Sequence, residues 1–162
     1  MTTVRAADVT PVPWKNGGGL TRDLAMDAPD WRWRLSLAEV AADGPFSAYP
    51  GVERWFAVTA GAGVELRFGG TGSVLRPLDP PFVFDGADAP HCRLLAGATE
   101  DLNLMLRDGA RGTMHRAGSG VIWTEPWPLR GHYELATRTL HWALPEGPLH
   151  APGPGYWIGI AP

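Results

Sequence analysis

Cysteine and lysine are almost absent from this sequence of 162 residues, in which Cys92 and Lys15 are the only residues of their types. A single cysteine excludes an intrachain disulfide and favours a reducing compartment. No apolar run is long enough to cross a bilayer, and the segment from Met1 to Asp8 lacks the apolar stretch of a signal peptide. We therefore expect a cytoplasmic protein that is not inserted in a membrane.

Runs of like charge are absent as well. The 14 basic and 17 acidic residues are scattered along the chain and give a net charge of -3. Such a chain has no general electrostatic attraction to nucleic acid or to anionic lipid. We therefore predict no nucleic-acid partner and no membrane partner.

The chain also lacks the spacing of a metal site. Its five histidines are widely separated: His91, His115, His132, His141 and His150. None is paired as His-x-His or His-x-x-x-His, and no carboxylate lies at ligand spacing. Adjacent strand residues point to opposite faces, so His91 and Cys92 do not form a base and a nucleophile. We predict no metal site and no cofactor, and interpret Cys92 as a small buried hydrophobe.

Glycine and proline, in contrast, are abundant, with 21 and 16 residues. They interrupt the chain too often for long helices and suit short strands. The clearest strand is Trp31 to Val40, where apolar residues alternate with Arg32, Arg34 and Ser36. Similar patterns predict further strands, among them Glu53 to Ala60, Val64 to Phe68 and Leu102 to Arg107. About a dozen such strands predict an all-β jelly roll, sandwich or barrel. The length fits one compact unit over residues 1–162, or two small barrels that share a core.

A glycine-rich stretch from Trp14 to Asp23 is the first candidate site. Consecutive glycines let backbone N–H groups converge into an anion-binding nest, and Lys15 beside them adds a positive charge that suits a small carboxylate. A hairpin turn that begins at Asn16 and Gly17 explains the same glycines without a ligand. The lysine precedes the glycines, which excludes a Walker loop. The sequence leaves the nest and the turn open.

Two further stretches place polar side chains on strands. The turn from Gly44 to Gly51 delivers Arg54 to the start of a strand, and its guanidinium matches either a ligand carboxylate or a structural one. Farther along, Asp101 and Asn103 share a strand face opposite three leucines. If the leucines pack in the core, these two polar groups point into a barrel mouth or into water.

These stretches resemble the HutD/Ves family of small bacterial proteins, in order and with family-like spacing from about Val4 to Arg107. The opening signature is matched by Trp14 to Gly19 and Thr21. The central block is matched by Trp33, Ser36, Ala38, Gly44 to Ser47, Pro50, Gly51 and Arg54. The later block is matched by Phe84 to Gly86, Leu94 to Gly97 and Asp101 to Met105.

The resemblance implies a cupin-type fold, described for the family as two β-barrel modules in one chain. Family members lack the metal-binding histidines of enzymatic cupins, and no catalytic activity is assigned to them. Many are encoded with the histidine utilisation pathway. The implied role is that of a regulator that binds a small acidic intermediate such as N-formylglutamate.

A barrel mouth is the simplest place for polar residues from separate strands to meet. We predict nine ligand-binding residues from the three stretches: Trp14, Lys15, Asn16, Gly17, Thr21, Ser47, Arg54, Asp101 and Asn103. Lys15 and Arg54 would hold carboxylates, and the others would orient the ligand or the cations. Since buried charges are costly without partners, we expect Asp101 to be the counter-ion in the empty state. The alternative is a polar network that only fixes the loops.

Three functions remain open from the sequence. The first is the non-catalytic regulator. The second is a metal-independent isomerase or hydrolase that acts on a small carboxylate, with Lys15 or Asp101 as acid or base. The third is a protein-interaction module that uses exposed aromatic and proline residues after Trp123. We assign no site residue beyond Arg107, interpret the tryptophans there as packing residues, and leave open whether the chain forms a homodimer.

Overall fold

The computed structural model describes residues 1–162 as strands, turns and one short 3-10 helix at Ala6–Asp8. The strands in chain order are β1 (Thr2–Arg5), β2 (Val12–Pro13), β3 (Gly19–Met26), β4 (Trp33–Val40), β5 (Gly44–Pro45), β6 (Glu53–Ala60), β7 (Val64–Phe68), β8 (Thr71–Leu75), β9 (Phe82–Asp85), β10 (His91–Leu94), β11 (Thr99–Leu106), β12 (Arg111–Ala117), β13 (Ile122–Trp123), β14 (Leu129–Glu134), β15 (Thr139–Trp142), β16 (Leu149–His150) and β17 (Gly155–Ala161).

A six-stranded antiparallel sheet in the order β2-β3-β4-β11-β6-β9 forms the middle layer. Side chains alternate between its two faces, as strand geometry requires. Leucines and aromatic residues occupy one face: Leu104, for example, lies opposite Leu35 on β4 and Trp55 on β6.

A five-stranded sheet in the order β1-β15-β14-β17-β12 packs on this leucine face. The two sheets share a core of 15 buried residues, in which Leu35, Leu102 and Leu104 meet Tyr156 and Ile158. Burial of this continuous apolar surface is the main driving force for the layer contact.

A four-stranded sheet in the order β5-β10-β7-β8 covers part of the opposite face. It contributes Val64, Leu66 and Cys92 to a second, nine-residue core with Phe56 and Val58 of the middle sheet. The prediction that Cys92 is a small buried hydrophobe is confirmed. The second core also includes Val40 of β4 and Phe84 of β9, and the rest of this face borders a cavity.

The strand prediction succeeds where apolar and polar residues alternate. It places Glu53–Ala60 and Val64–Phe68 correctly, and finds the main part of β4 and β11. It misses β12, where only Met114 and Ala117 are buried and the remaining residues carry no period-two pattern. The all-β fold class is confirmed, and the division into two modules stays a prediction.

The segments around β13 and β16 pack on the outer face of the five-stranded sheet. The small β13-β16 sheet lies there, and Trp123 stacks on Trp157 with 4.9 Å between ring centroids. Both rings are buried, so the prediction that these tryptophans pack is confirmed. The expectation of an exposed aromatic surface is wrong, since the large apolar residues exposed in this part are Val121 and Ile122.

Candidate ligand-binding cavity

A cavity of about 530 Å³ opens on the face of the middle sheet that the four-stranded sheet leaves uncovered. Its 18 lining residues come from β2, β3, β4, β6 and β11, from the β2-β3 hairpin, and from the segment around β5. The volume lies within the range of small-molecule sites, about 300 to 1,000 Å³.

Cross-strand rows of the sheet bring the polar residues together. Three rows cross β3, β4, β11 and β6: Thr21–Ala38–Asp101–Val58, Asp23–Ser36–Asn103–Phe56 and Met26–Arg34–Met105–Arg54. The first two rows begin with polar or small residues and end with apolar ones. The polar ends line the cavity, while Phe56 and Val58 belong to the second core.

Two irregularities in strand pairing lie at the edges of this polar area. One occurs on β3 between Asp23 and Ala25, and the other on β11 between Glu100 and Asp101. Bulges of this kind change the direction in which a side chain points and often lie beside binding sites. The irregularity on β3 lets both Leu24 and Ala25 pack against the first core while Asp23 faces the cavity.

Arg54 is the most deeply buried cation of the cavity, with 5% of its surface exposed. Its guanidinium carbon lies 5.0 Å from the ring centroid of Phe84 and 5.5 Å from those of Phe46 and Tyr49. Nη2 donates to Asn103 Oδ1 at 3.3 Å, while Nε and Nη1 have no protein acceptor. Burial lowers the pKa of Arg54, and the Asp101 charge partly offsets this effect.

Asp101 is 1% exposed and makes one hydrogen bond, in which Asn103 Nδ2 donates to Oδ1 at 2.7 Å. Oδ2 has no partner. Burial raises the pKa of Asp101 to about 7, although the Asn103 hydrogen bond and the Arg54 charge act in the opposite direction. Asp101 is the counter-ion of Arg54 only through Asn103, which bonds to both side chains, and there is no direct salt bridge between them. The physical reason is that an amide can accept from a guanidinium and donate to a carboxylate at once.

A second arginine lies nearer the opening and was not predicted. Arg34 Nε donates to Asp23 Oδ1 at 2.6 Å, and both side chains are partly exposed. The alternation of Arg34 and Ser36 with apolar residues marked a polar face on β4. Only the pairing of β4 with β3 and β11 shows that this face belongs to the same site.

The glycine-rich stretch forms a hairpin turn between β2 and β3. Gly17 N–H donates to the Trp14 carbonyl at 3.0 Å, and Gly18 N–H donates to Asn16 Oδ1 at 2.9 Å. The interpretation of this stretch as an anion-binding nest is therefore wrong, because the N–H groups of Gly17 and Gly18 form hydrogen bonds within the turn. Trp14 Nε1 donates to Thr21 Oγ1 at 2.8 Å, which fastens the hairpin to the sheet.

The structure gathers the predicted site residues, except Gly17, around this cavity. Gly17 has a φ of 75°, so it serves the turn rather than the cavity. Ten lining residues were not predicted as ligand contacts: Val12, Pro13, Asp23, Arg34, Ser36, Ala38, Pro45, Phe46, Tyr49 and Met105. Phe46 and Tyr49 flank the predicted Ser47 in sequence, and this adjacency was the available signal.

Other chemistry is sparse in the structure. No group of three or more His, Cys, Asp or Glu residues is placed to hold a metal ion. No helix has the length and apolar character needed to cross a membrane. The polar groups that face the cavity are suited to hydrogen bonding and to pairing with an anion.

An antiparallel β-fold with a polar cavity on one face of its middle sheet places the chain among proteins of the cupin type. The likeness to protein Ylba from E. coli concerns the fold alone: the TM-score is 0.69 at 10% identity, with 98% of this chain and 90% of that chain covered. The model of the HutD family matches residues 6–121. The chain belongs to the HutD family.

Relatives and solved structures agree with this assignment. The chain is 40% identical over 108 residues to a 21.2 kDa protein in the hutC 3' region of Pseudomonas putida, which covers 63% of this chain and 56% of that protein. It is 32% identical over 149 residues to Protein Ves of Cronobacter sakazakii, which covers 82% and 80%. HutD from Pseudomonas fluorescens SBW25, solved in a formate condition, superposes with a TM-score of 0.85 at 26% identity over 99% of this chain and 97% of that chain.

Proposed function

We propose that this HutD-family chain is a non-catalytic protein that binds a small carboxylate in the cavity and thereby regulates histidine utilisation. N-formylglutamate is the proposed ligand. The name of the Pseudomonas putida relative, which refers to the hutC region, supports the pathway. That relative is aligned over 56% of its length, so its biology comes to this chain only as part of the proposal.

Arg54 carries the proposal. A guanidinium offers five N–H donors, and a buried one without acceptors is unfavourable. Nε and Nη1 of Arg54 lack a protein acceptor, and the side chain borders the cavity. A carboxylate accepts two parallel hydrogen bonds from such a fork, and gives the cation the charge partner that the protein does not supply directly.

The remaining polar residues suit the rest of a small acidic molecule. Lys15 lies on the cavity wall and can attract a second negative group. The proposed ligand contacts are the cavity-lining members of the predicted set: Trp14, Lys15, Asn16, Thr21, Ser47, Arg54, Asp101 and Asn103. Phe46 and Tyr49 would shield the carboxylate from water, which strengthens each charged contact.

Isothermal titration calorimetry tests the proposal. The purified chain is titrated with N-formylglutamate, glutamate, urocanate and formate, and Arg54→Ala and Lys15→Ala are measured in parallel. We expect one acid to bind with a Kd in the micromolar range. Arg54→Ala should weaken binding about 100-fold, because the lost hydrogen bonds involve a buried charge.

Arg111→Ala is the matched control, because Arg111 is an exposed arginine on β12 that does not line the cavity. It should bind like the wild type. Absence of heat with all four acids would contradict the carboxylate site and favour a protein partner. An equal loss in Arg54→Ala and Arg111→Ala would contradict the role given to Arg54.

A metal-independent enzyme that acts on a small carboxylate is the second candidate. The observation that favours it is the burial of Asp101 on the cavity wall. Burial raises the pKa of Asp101 to about 7, which suits a general acid or base near neutral pH. Product analysis by NMR during the same titrations distinguishes the two functions. Turnover that disappears in Asp101→Asn would replace the regulator with the enzyme.

We also propose a cytoplasmic location. Cys92 is a buried thiol whose pKa is raised to about 12, mainly by burial, so it is an unreactive residue compatible with a reducing compartment. Fractionation of the native host followed by immunoblotting tests this location. Recovery of the protein outside the cytoplasmic fraction would contradict it.

A further inference from the structure

The contacts of Asp101 are those of a carboxyl group that retains its proton. An ionised carboxylate that is fully buried needs several donors or a direct cation to offset its lost hydration. Asp101 has one donor, Asn103 Nδ2, and no direct cation, while Oδ2 has no partner. Asp101 borders the cavity, and its Oδ2 is buried without a partner.

Titratable and charged groups surround Asp101 on several strands, and they decide which form of Asp101 binds an anion. They are Lys15 in the hairpin, Asp23 on β3, Arg34 on β4, Tyr49 after β5, Arg54 on β6, Cys92 on β10 and Glu100 on β11. Asp23 is paired with Arg34, and Glu100 with Arg138. The cations left to attract a ligand are therefore Arg54 and Lys15.

An anion at Arg54 would occupy the same cavity as Asp101, to which Arg54 is connected through Asn103. If Asp101 were ionised, two negative groups would share one buried cation, and each would oppose the other. If Asp101 carries a proton, it adds a donor on the cavity side. The protonated form therefore suits a bound carboxylate, and the ionised form opposes it.

We propose that the ligand binds the form of the protein in which Asp101 is protonated, and that Asp101 Oδ2 donates a hydrogen bond to a carboxylate or carbonyl oxygen of the ligand. This inference rests on the proposed function, since it assigns the protonation state of the same site. No bond other than hydrogen bonds forms, and the proton comes from the solvent. The proposed ligands are therefore acids that have a second oxygen acceptor beside the carboxylate that binds Arg54.

Proton uptake is the direct consequence. Above its pKa, Asp101 must take up a proton when the ligand binds, so affinity falls as pH rises. With a pKa of about 7, the apparent Kd for N-formylglutamate should rise about tenfold between pH 6 and pH 8. The carboxylates of this ligand stay ionised over that range, so its own charge does not change.

The experiment is calorimetry with N-formylglutamate at pH 8 in HEPES and in Tris, two buffers that release a proton with different enthalpies. The difference between the two observed heats measures the protons taken up. We expect about one proton per bound ligand in the wild type. The Asp101→Asn variant keeps an acceptor for Asn103 and a donor toward the cavity, so it should bind with no proton uptake and a Kd that does not depend on pH.

Each result has a separate meaning. Binding without proton uptake in the wild type would overturn the inference and leave the proposed function standing. Proton uptake that persists in Asp101→Asn would overturn it as well, because another group would then carry the proton. Absence of binding in the wild type would overturn the proposed function and, with it, this inference. If Asp101→Asn fails to fold, the buffer comparison on the wild type still decides whether a proton is taken up.

Discussion

The two faces of the middle sheet are made by alternate residues of the same strands, yet they differ in what they do. One face packs against the five-stranded sheet in a core of 15 buried residues. The other packs against the four-stranded sheet in a core of nine residues, and then borders the cavity. On β11, Leu102 and Leu104 serve the first face, while Asp101 and Asn103 serve the second.

The difference shows that one face of a strand can contribute to stability while the other face contributes to ligand binding. The leucine face is dry and continuous, so its free energy comes from buried apolar area. On the cavity face, small and polar side chains leave space that the four-stranded sheet does not fill. That face keeps a buried cation and a buried carboxyl group at some cost in stability, which is typical of functional sites.

Leu104→Ala should have the largest effect on stability. Leu104 is fully buried between Leu35 and Trp55, so its truncation leaves a void in the first core. We expect the free energy of unfolding to fall by about 2–5 kcal/mol in urea denaturation. Ser36→Ala, on the cavity face, is the control and should cost less than about 1 kcal/mol. Equal losses would contradict the contrast between the faces.

Asp101→Asn should change the pH dependence of stability. The folded state holds the Asp101 proton up to a pKa of about 7, while the unfolded carboxyl loses it near the ordinary value of 3.8. Its contribution to stability is therefore complete below that ordinary value and is lost as pH rises toward 7. Between pH 5 and pH 8 the wild type should lose about 2 kcal/mol more than the variant. Parallel pH curves in urea denaturation would contradict a protonated Asp101.

Arg54→Met should stabilise the ligand-free protein at pH 5, by about 1 kcal/mol. At that pH Asp101 is neutral, so removal of the guanidinium leaves no unpaired charge, and the methionine fills the space among the aromatic rings. Arg111→Met, on the exposed part of β12, is the control and should be neutral. A loss of more than about 2 kcal/mol in urea denaturation would show that Arg54 serves the core rather than the ligand.

Gly17→Asn should have the smallest effect. Gly17 has a φ of 75°, nothing lies within 4 Å of an added Cβ, and asparagine tolerates this conformation better than most residues. The stability cost should be about 0.5 kcal/mol, and the Kd for N-formylglutamate in calorimetry should be unchanged. Weaker binding by the variant would show that Gly17 contributes to ligand binding.

Much of the cavity could be predicted because its residues come in short polar groups. Lys15, Asn16 and Thr21 follow one another closely, and Asp101 and Asn103 alternate with leucines. Arg34 and Asp23 could not be assigned in this way. Each belongs to a strand that looks ordinary alone, and their contact depends on the register between β3 and β4. Asn103 was predicted as a site residue. Its two hydrogen bonds, with Arg54 and with Asp101, depend on the positions of three side-chain ends that the sequence does not specify.

The amino-acid pattern by itself determined the all-β class, the apolar faces of the main strands and eight of the 18 residues that line the cavity, because alternation and turn residues act over a few positions. It also carried the resemblance to the HutD/Ves family. Tertiary structure alone decided that the glycines form a closed turn, that Arg34 and Asp23 join the cavity, and that Arg54 lacks direct pairing with Asp101. These features depend on strand register and on which sheet covers which face, and both are set by contacts between residues far apart in the chain.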